Sequence, residues 1–291
     1  MSKHHAHNHS TKNIKVVFFL NLIFTVFEII GGMYVNSVAI LSDALHDFGD
    51  SLSLGLSWYL DKKSKKAADK NYTFGYQRFS LLSALINSIV LIIGSVFVIQ
   101  EAVERLMYPE SSDGLGMMYI AIIGVAVNAY AAYKLSHGKS MNEKVLSWHL
   151  IEDVLGWVAV LILSIVLIFK DIPYLDPALS LAITAYILWN VVRRLRETLM
   201  LFLQGTPLDF DVDEVNAKIL EFTQVASVHN TYLWSLDGEH HVFSAHVVIH
   251  KVVTLEHIEV LKEEIRERLK SFGLSNITIE IEFEETECAQ E

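Results

Sequence analysis

The stretch Val38-Ala39-Ile40-Leu41-Ser42-Asp43-Ala44-Leu45-His46-Asp47-Phe48-Gly49-Asp50-Ser51-Leu52-Ser53-Leu54-Gly55-Leu56-Ser57-Trp58-Tyr59-Leu60 carries two conflicting signals. Its length and apolar ends read as a helix crossing a hydrocarbon core of ~30 Å. Its middle holds Asp43, His46, Asp47 and Asp50. A charge near the bilayer centre costs at least ~2.5–3.5 kcal/mol on insertion scales, so such residues ask for a functional explanation. His46 and Asp50 stand four apart, which on an α-helix sets them on one face with Cβ atoms about 5–6 Å apart. Asp43 falls near the same stripe. A second apolar run repeats the device in Trp148-His149-Leu150-Ile151-Glu152-Asp153, where His149 and Asp153 are again four apart.

The rest of the chain agrees with a membrane reading. Of its 291 residues 52% are hydrophobic and 20% charged, and a mean hydropathy of +0.35 is too high for two ordinary soluble domains. Six spans are expected, at Ile14–Tyr34, Val38–Leu60, Phe79–Val103, Met117–Leu135, Val145–Phe169 and Leu175–Val192, each near the ~20 residues a bilayer requires. Lys12 and Lys15, the loop from Lys62 to Arg78, Lys134 with Lys139 and Lys144, and Arg193 with Arg194 and Arg196 fall on one side of such a bundle. Positive loops stay inside, so both termini face the cytoplasm. Residues 1–13 then form a His-rich cytoplasmic tail, residues 14–204 the transmembrane domain and residues 205–291 a cytoplasmic domain. Met1 to Lys15 lack the small-residue cleavage site of a signal peptide, so the first span reads as retained. The net charge of −11 without a basic stripe argues against nucleic acid. A single cysteine, Cys288, leaves metal chemistry to His, Asp and Glu.

After Gln204-Gly205-Thr206-Pro207 the periodicity changes. Asp211–Phe222 and Leu255–Phe272 read as amphipathic helices; Val228–Leu236 and His241–His250 read as strands around an Asp237-Gly238 turn, with a last strand at Asn276–Phe283. Helix, strand, strand, helix, strand predicts an open sheet with two helices on one face, close to a ferredoxin-like arrangement.

Together His46, Asp50, His149 and Asp153 make a two-nitrogen, two-oxygen set, which suits tetrahedral zinc. Two carboxylates and two neutral imidazoles balance a divalent cation, so the occupied site is formally neutral inside the membrane. Emptied, it takes up protons, because protons and metal compete for the same lone pairs. Asp43, Asp47, Glu28, Asn128 and Glu152 read as entry-path, packing or supporting residues. Three classes compete. A proton-coupled metal exporter accounts for both pairs. A membrane metallohydrolase needs an open coordination position, and no His-Glu-x-x-His element stands in any span. A passive divalent-metal channel or a membrane metal sensor predicts metal binding without proton movement.

The segments Ser37…Ser42-Asp43-Ala44-x-His46-x-x-x-Asp50, Phe74-Gly75-Tyr76-Gln77-Arg78, His149-x-x-x-Asp153 and Val228-His229…Leu233-Trp234-Ser235-Leu236 resemble the cation diffusion facilitator family of zinc transporters, in its bacterial zinc, cadmium and cobalt efflux form. The resemblance covers nearly the whole chain. It implies an α-helical integral membrane protein with six transmembrane helices and a C-terminal α+β ferredoxin-like cytoplasmic domain, acting as a homodimer. It implies export of Zn2+, with Cd2+ and Co2+ as further cargo, in exchange for H+ through His46, Asp50, His149 and Asp153, and regulatory zinc at His246, His257 and Glu282. Tyr72 and Tyr76 stand where some relatives place loop histidines beside Asp69, so no loop site is expected. The strand that often reads His-x-x-His-x-Trp has His229 and then Tyr232. The expected partners are divalent metal ions, protons, the lipid membrane and a second copy, with no organic cofactor, no nucleic acid and no enzymatic activity. Short loops and the absence of a targeting extension suggest a bacterial inner membrane. The His4-His5-Ala6-His7-Asn8-His9 cluster suggests weak metal collection by composition alone.

Overall fold

The computed structural model describes the backbone of residues 3–136, 141–250 and 254–283, with side chains at 16–60, 62–136, 147–250 and 254–283. The expectations placed on His4, His5, His7 and His9, on Lys12, Lys15, Lys139 and Lys144, and on Cys288 lie outside those side chains. Six long helices come first: α1 (Lys3–Tyr34), α2 (Val38–Ser64), α3 (Phe79–Met107), α4 (Gly114–Ser136), α5 (Met141–Phe169) and α6 (Leu175–Phe202). A smaller set follows: α7 (Val212–Leu220), β1 (Val225–Ser235), β2 (His241–Ile249), α8 (Leu255–Lys270) and β3 (Leu274–Phe283). The chain divides into two compact units, Met1–Trp58 with Ile86–Arg194, and Tyr59–Leu85 with Leu195–Glu291.

Among the described residues five helices are long and apolar enough to cross a membrane: Val16–Tyr34, Phe79–Met107, Gly114–Ser136, Ser147–Phe169 and Leu175–Phe202. α2 has the length, at 27 residues. Asp43, Asp47 and Asp50 remove it from the set that composition alone identifies, because three carboxylates in eight positions outweigh the leucines around them. The outward faces are apolar, with Phe19, Ile23, Phe97 and Trp189 all more than half exposed, as lipid-facing surface requires. Trp157 is the opposite case, fully buried on α5. It meets Phe24 of α1 edge-on at 5.6 Å between ring centroids and lies flat on α4 at Gly124, where a Cβ would overlap its ring.

A buried polar ladder fastens α2 to α6. Asp176 accepts the Ser37 hydroxyl at 2.5 Å and the Val38 N–H at 2.7 Å. Ser180 donates to the Val38 carbonyl at 3.3 Å, and Ser42 shares a 2.8 Å hydroxyl bond with Thr184. Asp176, Ser180 and Thr184 recur every fourth residue, so one stripe of α6 faces α2. In effect α6 caps the first turn of α2 with a carboxylate borrowed from far along the chain. The preceding turn closes α1 with Asn36 at φ 55°, the left-handed position that ends many helices.

The second unit has its own core. α7 and α8 bury Val215, Ile219, Leu261, Ile265 and Leu269 against Phe243, Ala245, Val247 and Ile249 of β2 and their neighbours on β1 and β3. The sheet order is β1-β2-β3, with β1 antiparallel and β3 parallel to β2. Asp211 and Thr254 cap the two helices, the Asp211 carboxylate accepting from the Asp213 N–H and the Thr254 hydroxyl from the His257 N–H.

Candidate metal sites

α2 and α5 carry the two His-x-x-x-Asp pairs, and the fold brings them face to face. The Asp50 carboxylate lies between two imidazoles: its Oδ2 is bonded to His149 Nε2 and stands 3.7 Å from His46 Nε2. His46 Nε2 is also 3.9 Å from Asp153 Oδ1, and the two histidine rings meet edge-on at 5.4 Å. Donor atoms of His46, Asp50 and His149 all fall within 4.8 Å of one another, close enough for one metal ion. Asp153, 7% exposed, touches this group only through His46 and is not among the donor atoms that lie within 4.8 Å of one another.

Around this spot stand carboxylates whose oxygens have no hydrogen-bond partner among the described residues: both of Glu28, and one each of Asp43 and Asp47. Glu152 approaches His149 Nδ1 at 3.8 Å, the position from which a carboxylate orients a ligating imidazole. Asn128 instead satisfies itself on its own helix, donating to the Gly124 carbonyl at 3.2 Å. A narrow cavity of about 50 Å³ opens onto the pair, lined by His46, Asp50, His149, Glu152, Asn190 and Arg194. A larger one of about 500 Å³ touches Asp43, His46, Asp153 and Tyr186.

The loop between α2 and α3 holds no such group. Tyr76 donates its hydroxyl to Asp69 at 2.6 Å, and the Asn71 and Tyr72 N–H groups donate to the other oxygen. The tyrosine hydroxyl and then these N–H groups hold the Asp69 carboxyl below its ordinary range. Its lone pairs are committed to shaping the loop.

A second cluster forms on the sheet. The core alternation of β2 turns His246 to the opposite face, and Glu282 and His229 reach the same face from the flanking strands. His246 Nδ1 is 2.7 Å from one Glu282 oxygen and His229 Nε2 is 3.2 Å from the other, while His246 Nε2 stands 3.5 Å from Glu280. Donor atoms of His229, His246 and Glu282 lie within 4.8 Å of one another. His257 is apart from this group, on the first turn of α8 with its Nδ1 2.7 Å from the Thr254 hydroxyl.

Two residues acquire places that sequence reading did not give them. His229 stood beside Tyr232 with no partner assigned; near the turn the strands pair Ser235 with His241, and a bulge between His229 and Tyr232 then shifts the register by one and sets His229 opposite His246. Arg194 was an orientation marker only; its spacing of four from Asn190, itself four from Tyr186, is the signal that it shares their face.

Residues 14–203 match the family described as the cation efflux transmembrane domain, and residues 207–284 match the cation efflux protein cytoplasmic domain. The chain is 32% identical to a protein named as a cadmium, cobalt and zinc/H(+)-K(+) antiporter from Bacillus velezensis, over 96% of this chain and 91% of that one. It is 28% identical to the zinc transporter ZitB of Pectobacterium atrosepticum, over 96% and 89% respectively. A solved structure of the metal-bound C-terminal domain of the CzcD transporter from Cuprividus metallidurans aligns at 29% identity, covering 25% of this chain and 99% of that one, with a TM-score of 0.22.

Proposed function

This chain belongs to the cation efflux family, and from that premise we propose that it exports Zn2+, with Cd2+ and Co2+ as further cargo, from the cytoplasm in exchange for H+. The observation that carries the reading is the Asp50 carboxylate held between His46 and His149 from two different helices. Asp153 completes a four-donor set beside His46. Two carboxylates and two neutral imidazoles cancel the charge of a divalent ion, which a low-dielectric site needs. Four protein donors leave no open position for an activated water, so transport fits better than hydrolysis. When the ion leaves, protons compete for the same oxygens and nitrogens, which couples the two fluxes through one set of lone pairs.

In this reading α2 is the sixth crossing, its carboxylates neutralised by cargo or protons, and both termini lie on the cytoplasmic side, in a bacterial inner membrane. The C-terminal unit is a ferredoxin-like domain that pairs two copies of the chain. The chemistry of His229, His246 and Glu282, two imidazoles and a carboxylate across three strands, fits a resident zinc ion. Metal bound there stabilises the folded domain by linkage, so cytoplasmic zinc is read by the part of the protein that assembles the dimer. His257 is exposed on α8 and is free to serve the second copy.

The test is metal-driven proton flux in proteoliposomes, for the intact protein and for Asp153→Ala. Zinc-driven flux that vanishes in the variant is the expected result. Zinc movement without proton movement would favour a passive pathway, and unchanged transport in Asp153→Ala would overturn the site.

A further inference from the structure

Two cavities open onto the residues between α2 and α5, and they do not reach the same carboxylates. The narrow one touches Asp50 and His149, and the larger one, of about 500 Å³, touches Asp43 and Asp153; His46 and Glu152 line both. The division follows from one antiparallel register. As α2 is read back from Asp50 to His46 to Asp43, α5 is read forward from His149 to Asp153 to Gly156. Asp50 is bonded to His149, His46 Nε2 is 3.9 Å from Asp153 Oδ1, and Asp43 Oδ1 lies 3.8 Å from where a Cβ on Gly156 would stand. The third rung therefore has a carboxylate on one helix and no side chain on the other. Asp43 is 5% exposed, and its Oδ2 has no hydrogen-bond partner among the described residues; the same holds for Nδ1 of His46. A carboxylate oxygen left so in a buried place costs free energy unless an ion, a proton or water meets it.

We propose that Asp43 and Asp153, with His46, form a second station for the metal, one rung beyond His46, Asp50 and His149, where the ion sits with water still in its shell; the inference rests on the transport reading above. His46 Nε2 stands between the two stations, 3.7 Å from Asp50 and 3.9 Å from Asp153, so the imidazole keeps hold of the ion while one carboxylate is exchanged for the other. Two carboxylates again balance a dication. They do not close on a bare ion: between these helices, the donor atoms within 4.8 Å of one another are those of His46, Asp50 and His149. At about 30 Å³ per water, the larger cavity takes an ion and several waters. A hydrated station with fewer direct donors binds more weakly, as a step towards release requires. Asp43 lies two turns, ~10 Å, from Asp50 towards the start of α2, which on the six-crossing reading is the outer side.

The experiment measures zinc binding to the full chain by titration calorimetry and zinc turnover in proteoliposomes. Every sample carries His246→Ala, and alanine at His4, His5, His7 and His9, to silence the sheet cluster and the tail. Asp50→Asn should lose tight binding and keep a weaker zinc equivalent, which disappears when Asp43→Asn is added. Asp43→Asn alone should keep the tight equivalent, which also shows that its fold is intact. Its turnover should fall about 10–100-fold, the loss that removing an outer partner of a bound metal brings. Asp47→Asn removes the same charge from the same helix but off both cavities, and beside Asp50→Asn it should leave the weaker equivalent in place. The proposal is overturned if the weaker equivalent is absent from Asp50→Asn, if it survives Asp43→Asn, or if Asp47→Asn abolishes it as well. Failure of the transport reading looks different: Asp50→Asn would then bind and carry zinc like the parent.

Discussion

Replacing Asp176 by alanine should destabilise the membrane unit through a helix that is not its own. Asp176 is 1% exposed and takes the Ser37 hydroxyl, the Val38 N–H and, at 3.4 Å, the Ala39 N–H. Loss of a cap costs about 0.5–2 kcal/mol. Each buried donor left without an acceptor costs about 1–3 kcal/mol, and Ser37 and Val38 are both buried. Part of this overlaps the capping loss, and the Ser37 hydroxyl can rotate, so about 3 kcal/mol is the reasonable sum. At about 2–4 °C per kcal/mol for a chain of this order, the melting temperature should fall by about 6–12 °C. The assay is thermal unfolding of the detergent-solubilised protein, followed by the fluorescence of its 5 tryptophans. Asp176→Asn, which keeps one acceptor oxygen, should lose about half as much. Ser37→Ala added to Asp176→Ala should cost little more, because the bond it removes is already gone. A melting temperature within about 1 °C of the parent for Asp176→Ala would refute the trans-capping argument, and additive losses in the double variant would refute the shared bond.

The sheet cluster predicts that zinc at a hundredfold excess over its dissociation constant adds about 2.7 kcal/mol to the stability of the C-terminal unit; an equal zinc-induced shift in His229→Ala and in the parent would remove His229 from the site. On α4, Gly124→Ala puts a methyl group into the indole of the buried Trp157, an overpacking that should cost about 1–3 kcal/mol and is read from the same melting curve. Burial opposes the charge on Asp237, but the N–H groups of His240 and Glu239 and the His240 side chain outweigh it and hold the carboxyl below its ordinary value. A depressed carboxyl adds stability above its unfolded pKa of about 3.9 and loses it as the pH falls through the folded value. The Asp237 contribution should therefore be intact at neutral pH and disappear below about pH 4, and Asp237→Asn should flatten that acid limb in a pH series of melting curves.

The sequence told helix from strand well where one periodicity ruled, and less well where helices outlast the membrane. The last long run reads as Leu175–Val192, but the helix runs on to Phe202, because hydropathy marks where hydrocarbon ends and the backbone has no reason to stop there. The first strand begins at Val225 rather than Val228, its start hidden by a bulge between Val225 and Ser227. The pairing of His46 with Asp50, and the same spacing in His149 and Asp153, was legible because helical geometry makes residues four apart adjacent; that His149 would meet Asp50, with Asp153 beside His46 alone, was not. The sheet cluster was half legible: His246 and Glu282 stood out, and His229 needed the hairpin register. The Asp176 ladder was not legible at all. Its partners lie 138 positions apart in the chain, and nothing local about an aspartate before a proline says whose amides it will cap.

The composition of α2 also bears on how the protein is made. A helix with Asp43, Asp47 and Asp50 at its centre is poorly recognised as a span while it stands alone, since each aspartate there opposes release into lipid. On the six-crossing reading it has to wait beside its neighbours until α5 brings the imidazole of His149 and α6 the cap at Ser37. On that reading the carboxylates proposed to hold a cation also oblige the nascent chain to delay one of its insertions, and a chain truncated or stalled before α5 and α6 would be left with α2 outside the membrane and one crossing short.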